Sequence, residues 1–386
     1  MEDKIDNSIY FDNSATTRVY PEVRDIMIKV MDIDYGNPSS LHLKGVTAEH
    51  YIKDSAKIIA DSLKVTPDEI IFTSGGTESN NLAIIGTALA KKRRGKHLVT
   101  SSIEHASVLA VMQFLEKEGF EVTYISPDSN GVVRPEDFAD AVRDDTILVS
   151  CMHINNEIGS VQPIAEISKA VRKKNPDVAI HSDCIQSFGK IEVNPKKMGV
   201  DMISVSGHKI HGPKGSGFLY VKKGTLIRPI IYGGGQQKNM RSGTENVPAI
   251  AGLGVAVSIT MKDMPEKMAR VEALKNRLIE GLKNLPDVYS NSQTAPHIAS
   301  ISFTGVRAEV MLHALEDKGI YVSSGSACSS NKRRESAVLT AIGLDRDKLE
   351  STLRFSFNET NDEYEVDSAL VEIEELLPVL RHYVRG

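Results

Sequence analysis

Cysteine is scarce in this chain: Cys151, Cys184 and Cys328 are the three thiols among 386 residues. An odd number at irregular spacing does not make a disulfide framework and fits a reducing compartment. No apolar run is long enough to span a membrane. The opening Met-Glu-Asp-Lys-Ile-Asp-Asn has neither the basic start and apolar core of a secretory signal nor the Arg-rich, acid-poor character of a transit peptide. A cytoplasmic location is the expectation. Positive charge is not in excess: 46 Lys and Arg face 51 Asp and Glu, a net charge of -5. That argues against a broad nucleic-acid-binding face, and the basic runs at 91–94 and 332–334 read as solvated surface. Repeats and low-complexity linkers are absent too. What is there, 41% hydrophobic and 25% charged residues, is ordinary globular composition at a length that allows two domains.

Short apolar runs alternate with helical patterns from about residue 65 to 230. Candidate strands are 69–72, 97–100, 121–125, 146–150 and 178–181. Helical spacings of three and four cover 80–92, 108–117 and 163–174, the last bounded by Pro163 and Asn175-Pro176. Alternation of this kind predicts a mainly parallel sheet covered on both faces. After Gly254 the pattern changes. A charged helix is expected over 264–285, then a strand at 298–303, a helix at 308–318, strands at 320–322 and 352–357, and a closing amphipathic helix at 363–383. That order suits a smaller α+β unit.

The most informative stretch runs from Val200 to Val221. The apolar run Met202, Ile203, Val205 delivers Lys209 into a turn built on Gly207, Gly212 and Pro213, and a second apolar run, 217–221, leaves it. A lysine held between two strands loses solvation, its pKa falls, and its amine becomes able to form an imine. Ser206 and His208 beside it can donate to a phosphate, so the combination suggests pyridoxal phosphate (PLP). The alternative is a hairpin whose lysine faces water.

Other constellations follow strand ends. Phe72-Thr-Ser-Gly-Gly-Thr77 passes from a strand through Gly75 and Gly76 into a helix, an arrangement whose amides and Thr77 hydroxyl suit an anion or simply cap the helix. It lacks the spacing and lysine of a P-loop. Asp183 ends the strand beginning at Val178, where α/β proteins gather ligands. A buried carboxylate there would pair with a protonated pyridine nitrogen, or serve as a turn residue. His105, after another strand end, could stack on a ring and move protons, or be structural. His208 and His211 have no acidic or thiol ligand close in sequence, and no metal site is expected. Cys328 lies among small polar residues with Lys332, Arg333 and Arg334 nearby. It reads as a solvent-reaching thiol with an enhanced thiolate fraction or as an unreactive loop cysteine. Arg354 in the alternating strand 352–357 meets an anion if it faces inward, and a planar fork suits a carboxylate.

In order and joint chemistry, these motifs resemble those of the NifS/IscS-like cysteine desulfurases, in the class-V aminotransferase family of fold-type I PLP enzymes. The resemblance covers nearly the whole chain. Besides the lysine, glycine and cysteine motifs it includes Tyr10-Phe-Asp-Asn-Ser-Ala-Thr-Thr17, Gly36-Asn-Pro-Ser-Ser-Leu-His42, Asn155-Asn-Glu-Ile-Gly159, Gly233-Gly-Gly-Gln236 and Arg241-Ser-Gly-Thr244. It implies an α/β fold with a large PLP-binding domain over 15–260. The smaller α+β domain takes 1–14 and 261–386 and carries a cysteine loop at about 323–336.

By the same resemblance Lys209 links to the cofactor, His105 stacks on its ring, Asp183 pairs with the ring nitrogen and Gln186 bonds the ring hydroxyl. Gly76, Thr77, Ser206 and His208 hold the phosphate, and Thr244 reaches the cofactor of the other subunit of a homodimer. Asn156 contacts cofactor and substrate, and Arg354 takes the substrate carboxylate. Cys328 is the sulfur-accepting nucleophile and a potential transient ligand of an iron–sulfur cluster. The implied reaction turns L-cysteine into L-alanine and a Cys328 persulfide, for an iron–sulfur scaffold or a tRNA-thiolation protein. The competing readings are a selenocysteine lyase or another class-V aminotransferase or lyase, and a non-catalytic scaffold. Cys184, where the family usually has a small apolar residue, departs from the pattern and is expected to be an oxidation liability.

Overall fold

The computed structural model describes residues 8–324 and 336–384. In chain order the strands among them are β1 (Ile9–Tyr10), β2 (Ile70–Thr73), β3 (His97–Ser101), β4 (Glu121–Ile125), β5 (Thr146–Ser150), β6 (Ala179–Asp183), β7 (Met202–Ser206), β8 (Gly217–Val221), β9 (Val288–Ser290), β10 (Ile298–Phe303), β11 (Ile320–Tyr321), β12 (Ser323–Ser324) and β13 (Thr352–Ser356). Seven form one sheet in the order β2-β8-β7-β6-β5-β3-β4. Neighbours from β7 to β4 run parallel, while β8 is antiparallel to both β2 and β7. The reversal at β8 has a simple cause. Parallel neighbours need a long crossover, and β7 is joined to β8 only by the short turn that begins with the 3-10 helix Gly207–Lys209. The lysine motif therefore makes the one antiparallel strand inside the sheet.

Strands β3, β5, β6 and β7 are buried along their whole length, as expected of strands covered on both faces. Two histidines stitch them together. His97 on β3 bonds Thr146 of β5 at 2.7 Å through Nδ1 and Thr123 of β4 at 2.9 Å through Nε2. His181 on β6 bonds Ser150 of β5 and Ser204 of β7, both at 2.9 Å. Burial lowers the pKa of both rings, that of His181 to about 3, so each is neutral and presents one donor and one acceptor.

The helices Gly76–Lys91, Ala106–Lys117 and Ile164–Lys174 fall where the periodicity places them, within a few residues. Among those without a sequence expectation, the three longest are Pro21–Asp32, Leu43–Leu63 and Val247–Met261. The third is apolar almost all round and is packed against the other two, so it presents no amphipathic stripe to read. Among the described residues no single helix is long and apolar enough to cross a membrane.

A second sheet, β12-β13-β10-β9, has its own core. Phe303, Phe355 and Phe357 pack there with Met268 and Leu278 of the helix Met264–Leu282 and Val366 and Ile373 of the helix Glu363–Val384. Phe11 inserts into this core 4.9 Å from Phe357. The strand expected over 320–322 is β11, one residue shorter and paired parallel with β1, and beyond Val322 β12 pairs with β13.

From Phe11 the chain crosses to the large sheet as a strap. Ser14 N donates to Ser356 Oγ at 2.8 Å, and Asn13 Nδ2 to Ser356 O at 2.9 Å. Thr17 N then donates to His208 O at 2.9 Å, while Thr17 Oγ1 accepts from His211 N at 2.8 Å. Residues 11–17 thus bind the small sheet to the lysine turn.

Candidate active site

Lys209 leaves the 3-10 turn after β7 with its amine 2.5 Å from Ser14 O and 2.6 Å from Ala15 O. Ser14 O also accepts from Gln186 Nε2 at 3.0 Å. One strap carbonyl therefore gathers the lysine and the glutamine that follows β6. Ser206 ends β7 beside the glycine turn after β2. A methyl group on Gly75 would lie 3.5 Å from Ser206 Oγ, and one on Gly76 would collide with Ile185 Cδ1 at 2.0 Å. Gly75 also adopts φ +146, which favours glycine. The paired glycines thus let the backbone approach Ser206 and Ile185 where the 16-residue helix Gly76–Lys91 begins, the end at which backbone amides lack helical partners. Thr77 is exposed in the first turn of that helix. His208 is partly buried; burial, aided by the charges of Lys209 and Lys214, lowers its pKa to about 4, so it is a neutral donor.

Asp183 closes β6 and is buried. Burial raises its pKa, opposed by the Ile185 N–H at 3.0 Å, by the charges of His105 and Lys209, and by Asn80 at 2.8 Å. Asn80 Nδ2 also donates to Ser107 Oγ at 2.9 Å, and Ser107 Oγ lies 2.8 Å from His105 Nδ1. The Ser107 amide can only donate, and it reaches the same Nδ1 at 3.1 Å. Nδ1 is therefore an acceptor, and a neutral His105 carries its proton on Nε2.

Glu104, next to His105, accepts from Ser101 Oγ at 2.5 Å and Met152 N at 2.8 Å. Burial pushes its pKa up to about 8, so it is a neutral acid at pH 7. Asn155 joins the same two segments, donating to Ile103 O at 3.1 Å and accepting from the amides of Glu157 and Ile158.

Arg354 on β13 is buried. Its Nη1 donates to Asn156 O and its Nη2 to Asp12 Oδ1, both at 2.8 Å, and its Nε has no partner among the described residues. The inward-facing alternative of the sequence reading is the one the fold adopts.

The structure brings together Gly76, His105, Asn156, Asp183, Gln186, Ser206, His208, Lys209 and Arg354 through these contacts. Thr244 is exposed and outside this network; its segment is tied back to the Gly76–Lys91 helix by the ion pair of Arg241 with Glu78 at 2.9 Å. Cys328 lies outside the described residues. His211, the second histidine of the lysine motif, bonds Arg18 O at 2.8 Å and faces Glu359 at 3.5 Å. The expectation for Cys184 is corrected: it is fully buried, and burial raises its thiol pKa to about 12, which withholds the thiolate that oxidation needs. Sequence reasoning missed Ser14, Asn80, Glu104, Ser107, Asn155 and Glu157. A buried asparagine beside Leu82, Ala83 and Ile84 was the one local signal.

The chain belongs to the aminotransferase class-V family, whose model matches residues 9–369. Within it, the chain belongs with the NifS/IscS-like cysteine desulfurases. It is 43% identical over 378 residues to the cysteine desulfurase IscS of Methanosarcina thermophila, covering 97% of this chain and 93% of that protein. Among solved structures it is similar to a NifS-like protein, with TM-score 0.92, 40% identity and coverage of 97% of this chain and 100% of that one. It is also similar to SspA in complex with cysteine, with TM-score 0.81, 36% identity and coverage of 91% and 99%.

Proposed function

We propose that this chain is a PLP-dependent cysteine desulfurase, converting L-cysteine to L-alanine and leaving the sulfur on Cys328 as a persulfide. The observation that carries the reading is the convergence of Lys209, His105 and the buried Asp183 on one site that Arg354 also borders. The residues suit PLP. Asp183 is a carboxylate whose burial calls for a cationic partner, Asn80 Oδ1 is buried without a partner among the described residues, and the Gly75–Gly76 turn brings the helix start closer to Ser206 and Ile185 than a side chain on Gly76 would allow.

When bound, PLP would supply an electron sink for the pair left on the substrate Cα. Asp183 would hold a proton on its ring nitrogen, His105 would stack on the ring face, and Gln186 would bond the ring hydroxyl. Gly76, Thr77, Ser206 and His208 would hold the phosphate, and Thr244 would reach the site of a second copy. Lys209 takes the Cα proton. Arg354 exchanges Asp12 for the substrate carboxylate, and Asn156 orients the substrate beside it. Cys328 thiolate attacks the substrate sulfur; the Cβ–S bond breaks, its electron pair stays with carbon and is protonated, and an S–S bond forms. L-Cysteine and the Cys328 thiol become L-alanine and the Cys328 persulfide, with no further oxidant. Cys328 is four residues past Ser324, a covalent reach of at most about 14 Å, and Ser323 pairs with Arg354.

The persulfide passes to an acceptor such as an iron–sulfur scaffold or a tRNA-thiolation protein in the cytoplasm, with Cys328 a transient cluster ligand in the first case. Residues 15–260 form the cofactor-binding domain; 1–14 and 261–386 form the smaller one. The enzyme works as a homodimer: Ile28, Met31, Ile33, Tyr35, Leu41 and Leu43 are exposed apolar residues on one short stretch, Leu41 fully so, a surface that a second copy would cover.

The test is Cys328→Ala in the PLP-loaded protein. The visible cofactor absorbance is expected to persist while alanine and sulfide production from cysteine is lost. Unchanged turnover would overturn the reading.

A further inference from the structure

In sequence, Cys328 falls between two described anchors. Upstream, Ser323 of β12 pairs with Arg354. Downstream, Ser336 caps the short helix Ala337–Ala341, its Oγ accepting from Leu339 N at 3.1 Å. Val338, Leu339 and Ile342 then pack on Ile103 and Ile158, which belong to the two segments that carry His105 and Asn156. These apolar contacts place the helix but not its first residue. Ser336 is held by Glu157, whose Oε2 takes its hydroxyl hydrogen at 2.5 Å. The Glu157 amide is itself fixed by Asn155 Oδ1 at 2.9 Å. Its carboxyl is raised by burial and pulled back by Ser336 and by the charges of Arg354 and His105. Glu157 therefore links the Asn155–Asn156 segment to Ser336 within electrostatic reach of Arg354 and His105.

We infer that Glu157 is a positioning residue for sulfur transfer: by holding the Ser336 hydroxyl it fixes the chain eight residues past Cys328 in sequence. This rests on the reading of Cys328 as sulfur acceptor. Glu157 touches neither substrate nor cofactor in this role, so its loss is expected to slow persulfide formation and to leave substrate capture intact. A glutamine retains an oxygen that can accept from Ser336; an alanine does not.

The experiment uses the full chain loaded with PLP, one equivalent of L-cysteine, rapid alkylation, and mass spectrometry of the Cys328 peptide. The spectral change on adding cysteine is followed in parallel. Glu157→Ala is expected to slow the Cys328 persulfide by about tenfold, the scale of a lost charge-assisted hydrogen bond, with an unaltered cysteine dependence of the spectral change. Glu157→Gln is expected to recover most of the rate. Ser336→Ala should match Glu157→Ala, and the double variant should be no slower than either. The inference is overturned by an unchanged rate in Ser336→Ala, by additive losses in the double variant, by a glutamine as slow as the alanine, or by a shifted cysteine dependence. Should Glu157→Ala not fold, Ser336→Ala and Glu157→Gln decide alone. A parent protein that forms no persulfide on Cys328 overturns the desulfurase reading and this inference with it. A parent that does, beside variants at the same rate, overturns only the inference.

Discussion

Asn80 Nδ2 lies 2.8 Å from Asp183 Oδ2, and through its second hydrogen it reaches Ser107 Oγ, the hydroxyl beside His105 Nδ1. One helix amide thereby sets the two side chains that would meet a bound ring, Asp183 at its nitrogen and His105 on its face. A hydrogen bond to a charged group is worth about 1.5–3 kcal/mol.

Asn80→Ala is accordingly expected to weaken PLP binding by about tenfold or more, measured by titrating the cofactor-free protein and following absorbance. Asn80→Asp should be worse, because a second buried carboxylate raises the pKa of Asp183 further. Parent-like affinity in Asn80→Asp would show that the Asn80 bond does not set the charge of Asp183.

Arg354 presents two fork nitrogens to Asp12 and the Asn156 carbonyl while its Nε is buried without a partner among the described residues. Lysine keeps the charge but loses the fork. Arg354→Lys should therefore raise KM for cysteine by about tenfold, with a smaller effect on kcat. Steady-state alanine production gives both constants, and a change confined to kcat would count against carboxylate binding at this residue.

The two stitching histidines give stability a pH window of their own. An unfolded imidazole takes a proton near 6.5, whereas buried His181 does so only at about 3. The unfolded chain binds more protons between those values, so this stability is complete above pH 6.5 and declines as pH falls towards 3. At pH 5 the loss from His181 is about 2 kcal/mol. Glu359, bonded to Tyr20 and facing His211, is held below its ordinary 4.5 despite the opposing effect of burial. Its contribution is present above 4.5 and lost only below it. Unfolding temperatures between pH 6.5 and 5 are therefore expected to fall in the parent and to fall less in His181→Gln, whose amide can still bridge Ser150 and Ser204. Identical slopes would rule His181 out as the source.

The large sheet was legible because buried parallel strands are written as continuous apolar runs, as in Thr146–Ser150. The edge strand Glu121–Ile125, only partly buried, was legible from its β-branched and aromatic residues. The helix Val247–Met261 was not, because a helix covered on all sides has no periodic face to display. The lysine, the Asp183 strand end and the glycine turn were legible as local motifs that need only neighbours in sequence. Asn80 with Asp183, Glu157 with Ser336 and Ser14 with Ser356 were not. Their partners lie 103, 179 and 342 residues away, and nothing local in a serine or a glutamate announces so distant a contact.

The strap described above also sets an order of assembly. Lys209 and Gln186 share the Ser14 carbonyl, and Ser14 is itself held by Ser356. A nascent chain emerging from the ribosome can complete its seven-stranded sheet long before Ser356 has been made. Until then Thr17 can pair with His208 and His211, but Ser14 lacks its bond to Ser356. A cofactor held by Lys209 would thus reach its final geometry late in the life of a new molecule, once the last strand is synthesised.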